Sequence, residues 1–412
     1  MANRVIVGGR VSAKRFGYSG SDDTSAVQSA IDAGGAAAEV PAISGAGEWV
    51  VGPLTLANGV ALFLQDGGRL KARSGDYGAT NKNILAGNLL SPVRIIGSFE
   101  SIVEGLRESL SVDNTGPHNI NLRGCTNVTI EGIYSKNSSG DAIYLGADTT
   151  VGRVPCEDVI IRNFVGDAAR RQGISITAGR RIRIENSTLT GTLGASPQSG
   201  LDIEPNHADD PAVDITVQHC LARNNGPSDG SAGNGYVVSL SELTTASDPV
   251  SILFDHCVVD GTHNQCVFVN LDDTSDAGPG GTIEFRDCTF IGGRLHGALI
   301  TYDVGVDYLV KFVRCRFVNN ATSLSRNAIG LAADGDLTPS ATGGVVFEDC
   351  IVEDRLANRS PVWLDLDLPL VDPDDLNNIK ISGDIRVINP ALPLGAYTDH
   401  GINALTITVV AG

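Results

Sequence analysis

A repeat of about 30 residues constrains the fold of this chain more than any other feature of its sequence. Short apolar segments recur along the chain, and from Gly173 onward their starts lie 27, 35, 31, 31, 30 and 34 residues apart. The segments are GDAIYLG from Gly140, GISITAG from Gly173, GLDIEPN from Gly200, GYVVSLS from Gly235, CVFVNLD from Cys266, GALITYD from Gly297, NAIGLAA from Asn327 and PVWLDLD from Pro361. The spacing varies in the loops, as is typical of a solenoid whose units contact only their neighbours.

A second strand in these units ends in a short phrase that contains cysteine. The phrases are VQHC at Cys220, FDHC at Cys257, FRDC at Cys288, FVRC at Cys315 and FEDC at Cys350. The chain contains no Cys-x-x-Cys pair, which argues against a zinc site built on cysteine. We therefore predict that these cysteines are reduced packing residues that stack as a ladder inside the solenoid.

The repeat predicts an all-β chain folded as a right-handed parallel β-helix, with three short strands in each coil. Equivalent residues of neighbouring coils should then stack about 4.8 Å apart. The composition agrees, because 49 glycines and an aromatic content of 5% suit short strands and tight turns. One domain is expected, with an N-terminal cap over 1–45, the β-helix over 46–390 and a C-terminal cap or oligomer contact over 391–412. The cap should contain a short helix within 20–35, with Asp22, Asp23 or Thr24 as its N-cap and Gly34 as its end.

The N-terminal region carries a resemblance to a known family. VSAKRFGYSGSDDTSAVQSAID, followed by AEVPAISGAGEWVVGPLTLANGVALFLQDGGRLKA, resembles the beginning of the pectate-lyase-like β-helix superfamily. Polygalacturonases, alginate-modifying enzymes and phage tailspike depolymerases share that segment. The resemblance implies the fold to about residue 365 and a polysaccharide or oligosaccharide bound along one parallel sheet, but it does not choose a reaction.

The same resemblance bears on assembly and location. β-Helices of the tailspike type are often trimeric, so a homotrimer is one expectation, although no coiled-coil heptads support it. An extracellular or virion-associated location is favoured, while the first 17 residues contain no apolar run of signal-peptide length. Either the protein is not exported by the signal-peptide route or a leader has been trimmed.

The charge of the chain excludes two classes of partner. The formal net charge is -18 and no basic run occurs, whereas nucleic-acid binding requires a positive surface. No apolar stretch has the length that spans a bilayer. We predict neither a nucleic-acid nor a membrane partner.

The stretch QSGLDIEPNHADD, residues 198–210, contains the candidate catalytic pair Asp202 and Glu204. Strand alternation turns Leu201 and Ile203 inward and both acids outward, onto the presumed binding sheet. Residues i and i+2 lie about 6.5–7 Å apart at Cα. Glycoside hydrolysis uses two carboxyl groups about 5–5.5 Å apart when it retains configuration and about 6.5–9.5 Å apart when it inverts. The pair is compatible with both.

Further polar residues should shape the substrate site around that pair. The candidate substrate-binding residues are Arg171, Gln172, Asn206, His207, His263 and Asp272. Arg171 either binds a sugar hydroxyl or uronate or neutralises the acids, and His207 is either a proton shuttle or a surface residue. No organic cofactor and no metal site are predicted. Calcium remains an alternative at the loop LDDTSDAGPGG, whose spacing does not match an EF-hand.

Three functions remain open from the sequence. The first is a glycosidase that uses Asp202 and Glu204. The second is a polysaccharide lyase or uronate epimerase, in which Arg171 binds the carboxylate and a His or Tyr moves the proton. GLDIEPNH partly resembles the mannuronan epimerase motif, but Ser199 stands where that motif has tyrosine, and Ile203-Glu204 interrupts it. The third is a non-catalytic glycan-binding or virion spike protein.

Overall fold

The computed structural model describes residues 9–34, 37–45, 47–77, 82–107, 116–271, 278–303, 307–323, 328–334, 343–353, 364–366, 381–389 and 404–411. In these residues the chain winds through about ten coils of a β-solenoid, and all strand pairs within its sheets are parallel. The prediction of a parallel β-helix is therefore confirmed.

One sheet of 11 strands forms the first face of the solenoid. Its strands are Leu54–Thr55, Leu85–Asn88, Ile120–Arg123, Ile143–Gly146, Ile174–Ile176, Leu201–Ile203, Tyr236–Ser239, Val267–Leu271, Ala298–Asp303, Ile329–Asp334 and Leu364–Leu366. The segments aligned in the sequence form successive strands of this first sheet. Because the strands are in register, one side-chain position repeats from coil to coil along a straight row.

The other 22 strands form a second and a third face, which four long strands join into one sheet. The long strands are Val93–Glu104, Thr126–Lys136, Gly344–Glu353 and Ile381–Asn389. The second face adds Val11–Ser12, Ala38–Val40, Ala61–Leu64, Cys156–Arg162, Gly179–Glu185, Ala212–Gln218, Val250–Asp255, Gly281–Arg286, Tyr308–Val313 and Ala404–Ala411. The third face adds Trp49–Val51, Arg69–Ala72, Val165–Asp167, Thr188–Thr190, Leu221–Arg223, Val258–Asp260, Thr289–Ile291 and Arg316–Val318.

The corner between the second and third faces explains the cysteine phrase. The residue before each cysteine adopts positive φ, as at His219 (52°), His256 (51°) and Asp287 (51°), which turns the chain sharply. The cysteine that follows points inward, and all eight cysteines of the chain are buried and form no disulfide. The predicted ladder of buried cysteines is confirmed.

The interior of the solenoid is apolar and stacked. Phe254, Phe285, Phe312 and Phe347 occupy one row, with ring centroids 4.7, 5.0 and 5.3 Å apart and interplanar angles of 10–11°. The coil spacing of about 4.8 Å matches the separation of face-to-face stacked rings and so permits this arrangement. The register of the coils and the packing of the core therefore support each other.

The predicted capping helix is present over Thr24–Gly34, after a 3-10 turn at Ala13–Phe16. It buries Ala26, Val27, Ala30 and Ile31 against the first coils. The buried Asp23 carboxylate accepts hydrogen bonds from the amides of Ser19 (2.6 Å) and Val50 (3.2 Å), which ties the start of the helix to the solenoid. No helix in the described part of the chain combines the length and the apolar character that crossing a membrane demands.

At the other end, the strand Ala404–Ala411 pairs in parallel with Ile381–Asn389. The intervening residues lie outside the described part of the chain. The domain boundaries at 45 and 390 remain predictions.

Candidate active site

The candidate carboxyl pair lies on the strand Leu201–Ile203 and the residue that follows it. Leu201 and Ile203 are buried in the core, and Asp202 stands in register with Ser175 on the coil before and Val237 on the coil after. The predicted alternation is confirmed. The exposure of the two acids differs, however, because Asp202 is only 1% exposed while the Glu204 side chain is 38% exposed.

Asp202 lies in a desolvated pocket of polar groups. The buried Gln172 donates a hydrogen bond from Nε2 to Asp202 Oδ2 at 2.7 Å, and its Oε1 accepts from the Ser199 amide at 2.7 Å. Asp202 Oδ1 is buried and has no hydrogen-bond partner among the described residues. A buried oxygen without a partner is costly, and such atoms deserve a functional or structural explanation.

The surroundings of Asp202 favour its protonated form. Burial raises the pKa of the carboxyl well above its usual range, and the negative charges of Glu204 and Asp141 raise it further against the opposing charge of Arg171. Two neighbouring carboxyls in unlike surroundings provide the usual basis for separate acid and base roles.

Arg171 connects this pair to a third acid, Asp141, which the sequence interpretation missed. Its Nη1 donates to Asp141 Oδ2 at 3.1 Å, and its Nη2 lies 3.7 Å from Glu204 Oε2. Ser175 Oγ donates to the same Asp141 oxygen at 2.9 Å. Burial disfavours the charged guanidinium and lowers the pKa of Arg171. The electrostatic attraction of Asp141, Asp202 and Glu204 is the larger effect, so the pKa is raised overall. The Arg171 cation therefore balances a buried acidic cluster.

His118 extends the cluster by one more coil. The Asp141 amide donates to His118 Nδ1 at 2.9 Å, so the ring proton of the neutral imidazole sits on Nε2. Asp141 Oδ2 lies 3.4 Å from the same Nδ1 atom, but this contact is not an ion pair, since burial lowers the pKa of His118 to about 4. The imidazole stacks on Tyr144 at a centroid distance of 4.8 Å.

Tyr144 also contacts an arginine. The Arg123 guanidinium carbon lies 4.6 Å from the Tyr144 ring centroid, and the Tyr144 hydroxyl shares a hydrogen bond of 2.9 Å with Thr177 Oγ1. No carboxylate of the described residues pairs with Arg123. Among the described residues, Arg123 is thus a cation without a carboxylate partner, beside the acidic cluster on the outward face of the first sheet.

Of the predicted substrate-binding residues that the structure describes, only Arg171 and Gln172 contact the pair. Asn206 and the exposed His207 follow Glu204 in a loop, which the bidentate pair Arg153–Asp210 secures with contacts of 2.9 and 2.5 Å. His263 precedes the strand two coils further on, and within the described ranges it makes no hydrogen bond to either acid. Asp272 lies outside the described residues. None of these assignments has yet been tested.

One signal in the sequence points to Asp141. It follows Gly140 directly in GDAIYLG, two residues before the strand Ile143–Gly146. The equivalent position on other coils holds His118, Gln172, Ser199, Asn234, Gln265 and His296, which are all buried. A comparison of this pre-strand position across coils would have shown a polar row; the outward strand positions alone did not.

Asp202→Asn is expected to stabilise the fold at neutral pH. The pKa of Asp202 is about 4 in the unfolded chain and is raised in the folded state. At a pH between these two pKa values the folded state therefore binds more protons than the unfolded chain. The unfolding free energy of the wild type should therefore fall as pH rises from about 4 through the raised pKa. Urea unfolding of the wild type and Asp202→Asn at pH 4 and pH 8 measures this effect. The difference in unfolding free energy between the two proteins should be smaller at pH 4 than at pH 8.

Asp209→Asn is the matched control, because Asp209 is exposed on the neighbouring loop. It should follow the pH dependence of the wild type. If Asp202→Asn does the same, Asp202 does not hold a proton on folding.

Solved structures with a similar fold were found, whereas no protein-family profile and no curated protein matches the sequence. The A-module of the mannuronan C-5 epimerase AlgE4 from Azotobacter vinelandii has a TM-score of 0.60 at 18% identity, covering 96% of this chain and 99% of its own. The family 28 exopolygalacturonase of Yersinia enterocolitica has a TM-score of 0.54 at 14% identity, covering 98% and 78%. A tailspike mutant of E. coli bacteriophage HK620, in complex with a pentasaccharide, has a TM-score of 0.50 at 14% identity, covering 97% and 76%.

These similarities confirm the predicted right-handed parallel β-helix, a fold that the chain shares with carbohydrate-active β-helix proteins. At such low identity they establish the shared fold and assign no reaction.

Proposed function

We propose that this protein is a glycoside hydrolase that binds a polysaccharide along the outward face of the first sheet and cleaves it with Asp202 and Glu204. One observation carries the proposal: two carboxyl groups project from the same side of one strand into opposite environments. Asp202 is buried and its pKa is raised, whereas Glu204 is partly exposed beside Arg171. The superfamily fold supports a glycan as the ligand.

In this mechanism Asp202 is the general acid, because burial and the neighbouring carboxyl groups favour its protonated form. Glu204 is the carboxylate that attacks the sugar or activates a water molecule. Asp202 Oδ1 is covered in the structure, so proton donation to a glycosidic oxygen requires a movement that exposes it. We expect substrate binding to cause that movement, since a ligand donor or acceptor would also satisfy the unpaired oxygen.

Arg171 and Gln172 act as positioning residues in this proposal. Gln172 holds Asp202 through its amide, and Arg171 balances the charges of Asp141 and Glu204 from between them. Without Arg171 three carboxyl groups would face one another in a largely buried space, and ionisation of one would disfavour ionisation of the next.

A second candidate is a lyase or epimerase that acts on a uronate polymer. Specific support comes from Tyr144, His118 and Arg123, which form a stacked group two to three coils before Glu204. A tyrosine or histidine can move the proton from a uronate, while an arginine binds its carboxylate. Two to three coil steps correspond to about 10–14 Å, so this group also fits a binding subsite distant from the carboxyl pair.

Product analysis separates the candidates. The protein and its Glu204→Gln variant are incubated in D2O with neutral and uronic polysaccharides, and reducing ends, new double bonds and deuterium in the polymer are measured. Hydrolysis should release reducing ends without unsaturation, and Glu204→Gln should abolish this release. Unsaturated products would indicate a lyase, and deuterium without chain cleavage would indicate an epimerase.

Binding of a glycan without any product, unchanged in Glu204→Gln, would favour the non-catalytic alternative of a glycan-binding or virion spike protein. Light scattering of the purified protein tests the predicted homotrimer at the same time. The extracellular or virion-associated location remains a prediction.

A further inference from the structure

A second cluster of chemically active side chains lies at the corner between the second and third faces, on the side away from the first sheet. It consists of His219, Asp255, His256 and Asp287, from three successive coils. The amide of His219 donates to the Asp255 carbonyl at 3.0 Å, and the amide of His256 donates to the Arg286 carbonyl at 2.9 Å, so the corners stack in register. The positive φ of His219, His256 and Asp287 turns the backbone so that all three side chains point outward.

Within this corner cluster, two atoms that can coordinate a metal face each other across a gap: His256 Nε2 and Asp287 Oδ2. Asp255 Oδ1 lies 2.9 Å from His256 Nδ1, which places the Nδ1 proton between them. His256 Nε2 then has a free lone pair and faces Asp287 Oδ2 at 4.0 Å. That separation is too long for a hydrogen bond. It is about twice the usual distance from zinc to a histidine nitrogen or a carboxylate oxygen.

The surroundings match those of known metal-binding histidines. A metal-bound histidine usually donates its other ring proton to a carboxylate, as His256 does to Asp255. Ligand atoms of Asp255, His256 and Asp287 all lie within 4.8 Å of one another, and the His219 ring lies 5.2 Å from that of His256. The side chain of His256 is 52% exposed, so the site is open to solvent.

We propose that His256 and Asp287 bind a divalent transition-metal cation such as Zn2+, with His219 as a further ligand and Asp255 as the carboxylate that orients His256. The mixed nitrogen and oxygen ligands favour Zn2+ over Ca2+, which takes oxygen ligands. A bound cation would link neighbouring coils at their corner and stabilise the stack. This proposal is independent of the glycan site.

Arg314 tunes the affinity of this site. Its Nε and Nη2 donate to Asp287 Oδ1 and Oδ2 at 2.7 and 2.6 Å. The guanidinium charge therefore competes with a cation for the same carboxylate. Removing this charge should strengthen metal binding, an effect that a merely structural ion pair would not produce.

The test is calorimetric titration of EDTA-treated protein with Zn2+ and with Ca2+. The wild type should bind one Zn2+ per chain and no Ca2+ at this site. His256→Ala should abolish the saturable Zn2+ binding, Asp255→Asn should weaken it about 10–100-fold, and Arg314→Gln should tighten it. His207→Ala is the matched control, since His207 is also 52% exposed and lies beside an aspartate, and it should bind Zn2+ as the wild type does.

Circular dichroism of each variant shows whether it folds. Zn2+ binding that is absent from the folded wild type, or retained in folded His256→Ala, would overturn the proposal. Binding lost equally in His207→Ala would place the metal elsewhere and would overturn it too.

Discussion

Glu204→Gln is expected to lower kcat/KM on the cleaved glycan by about 10²–10⁴-fold while the protein stays folded. The substitution keeps the shape of the side chain and removes its negative charge, so the sugar loses the carboxylate that attacks it or activates water. Glu204 is partly exposed and its ion pair with Arg171 is long, at 3.7 Å, so replacing its carboxylate should cost little stability. Initial rates and thermal unfolding of the same preparation measure both effects.

Asp202→Asn should lower activity to a similar extent, with a different pH signature. The raised pKa of Asp202 predicts that wild-type activity falls at high pH as the acid loses its proton. The residual activity of Asp202→Asn should lack the fall at high pH.

Asp209→Asn is again the control, because it removes an exposed acid from the same loop. Activity within about twofold of the wild type is expected. Wild-type rates in Glu204→Gln, measured on a glycan that the protein cleaves, would exclude this pair as the catalytic machinery.

Phe312→Ala is expected to destabilise the fold by about 3–5 kcal/mol. Phe312 is fully buried between Phe285 and Phe347, with stacked rings on both sides, and it also packs against the edges of Phe290 and Phe317. Truncation leaves a cavity that the register of the coils prevents from closing. Each coil is stabilised by its neighbours, so the damage should spread along the solenoid.

Urea unfolding followed by far-UV circular dichroism measures this loss. Phe99→Ala provides the comparison, because Phe99 lies on a long strand with 65% of its surface exposed. That change should stay within about 0.5 kcal/mol of the wild type. An equal loss of unfolding free energy in the two variants would show that the stacked phenylalanine row contributes no more to stability than an exposed phenylalanine does.

Local patterns in the sequence were sufficient for the fold. The inward and outward alternation can be read within one strand, as around Leu201 and Ile203. The cysteine positions can be read from the repeat, as at Cys220, Cys257 and Cys288. In a parallel β-helix the neighbours in space are the equivalent residues of adjacent repeats, so aligning the repeats amounts to stating the contacts. For the same reason Ser175, Asp202 and Val237 could be placed in one row.

The candidate site was less accessible from the sequence. Asp202 and Glu204 were found because acids are unusual in an apolar strand, and Arg171 and Gln172 because they precede the equivalent strand one coil earlier. Asp141 and His118 were missed, since they occupy the turn before the strand, where polar residues are ordinary. The pairing of Arg171 with Asp141 depends on side-chain directions that no spacing rule supplies.

By itself the sequence determined the parallel β-helix, the inward and outward sets of the first sheet, the capping helix and the buried thiols, because these follow from a period and an alternation. Only the tertiary structure decided that Asp202 is buried while Glu204 is partly exposed, that Arg171 lies between Asp141 and Glu204, and that two histidines and two aspartates meet at the opposite corner. Burial, side-chain direction and local charge depend on how loops and side chains from several coils close over one point. An outward position in a strand pattern therefore locates a carboxyl group, but its chemistry is set by the groups packed around it.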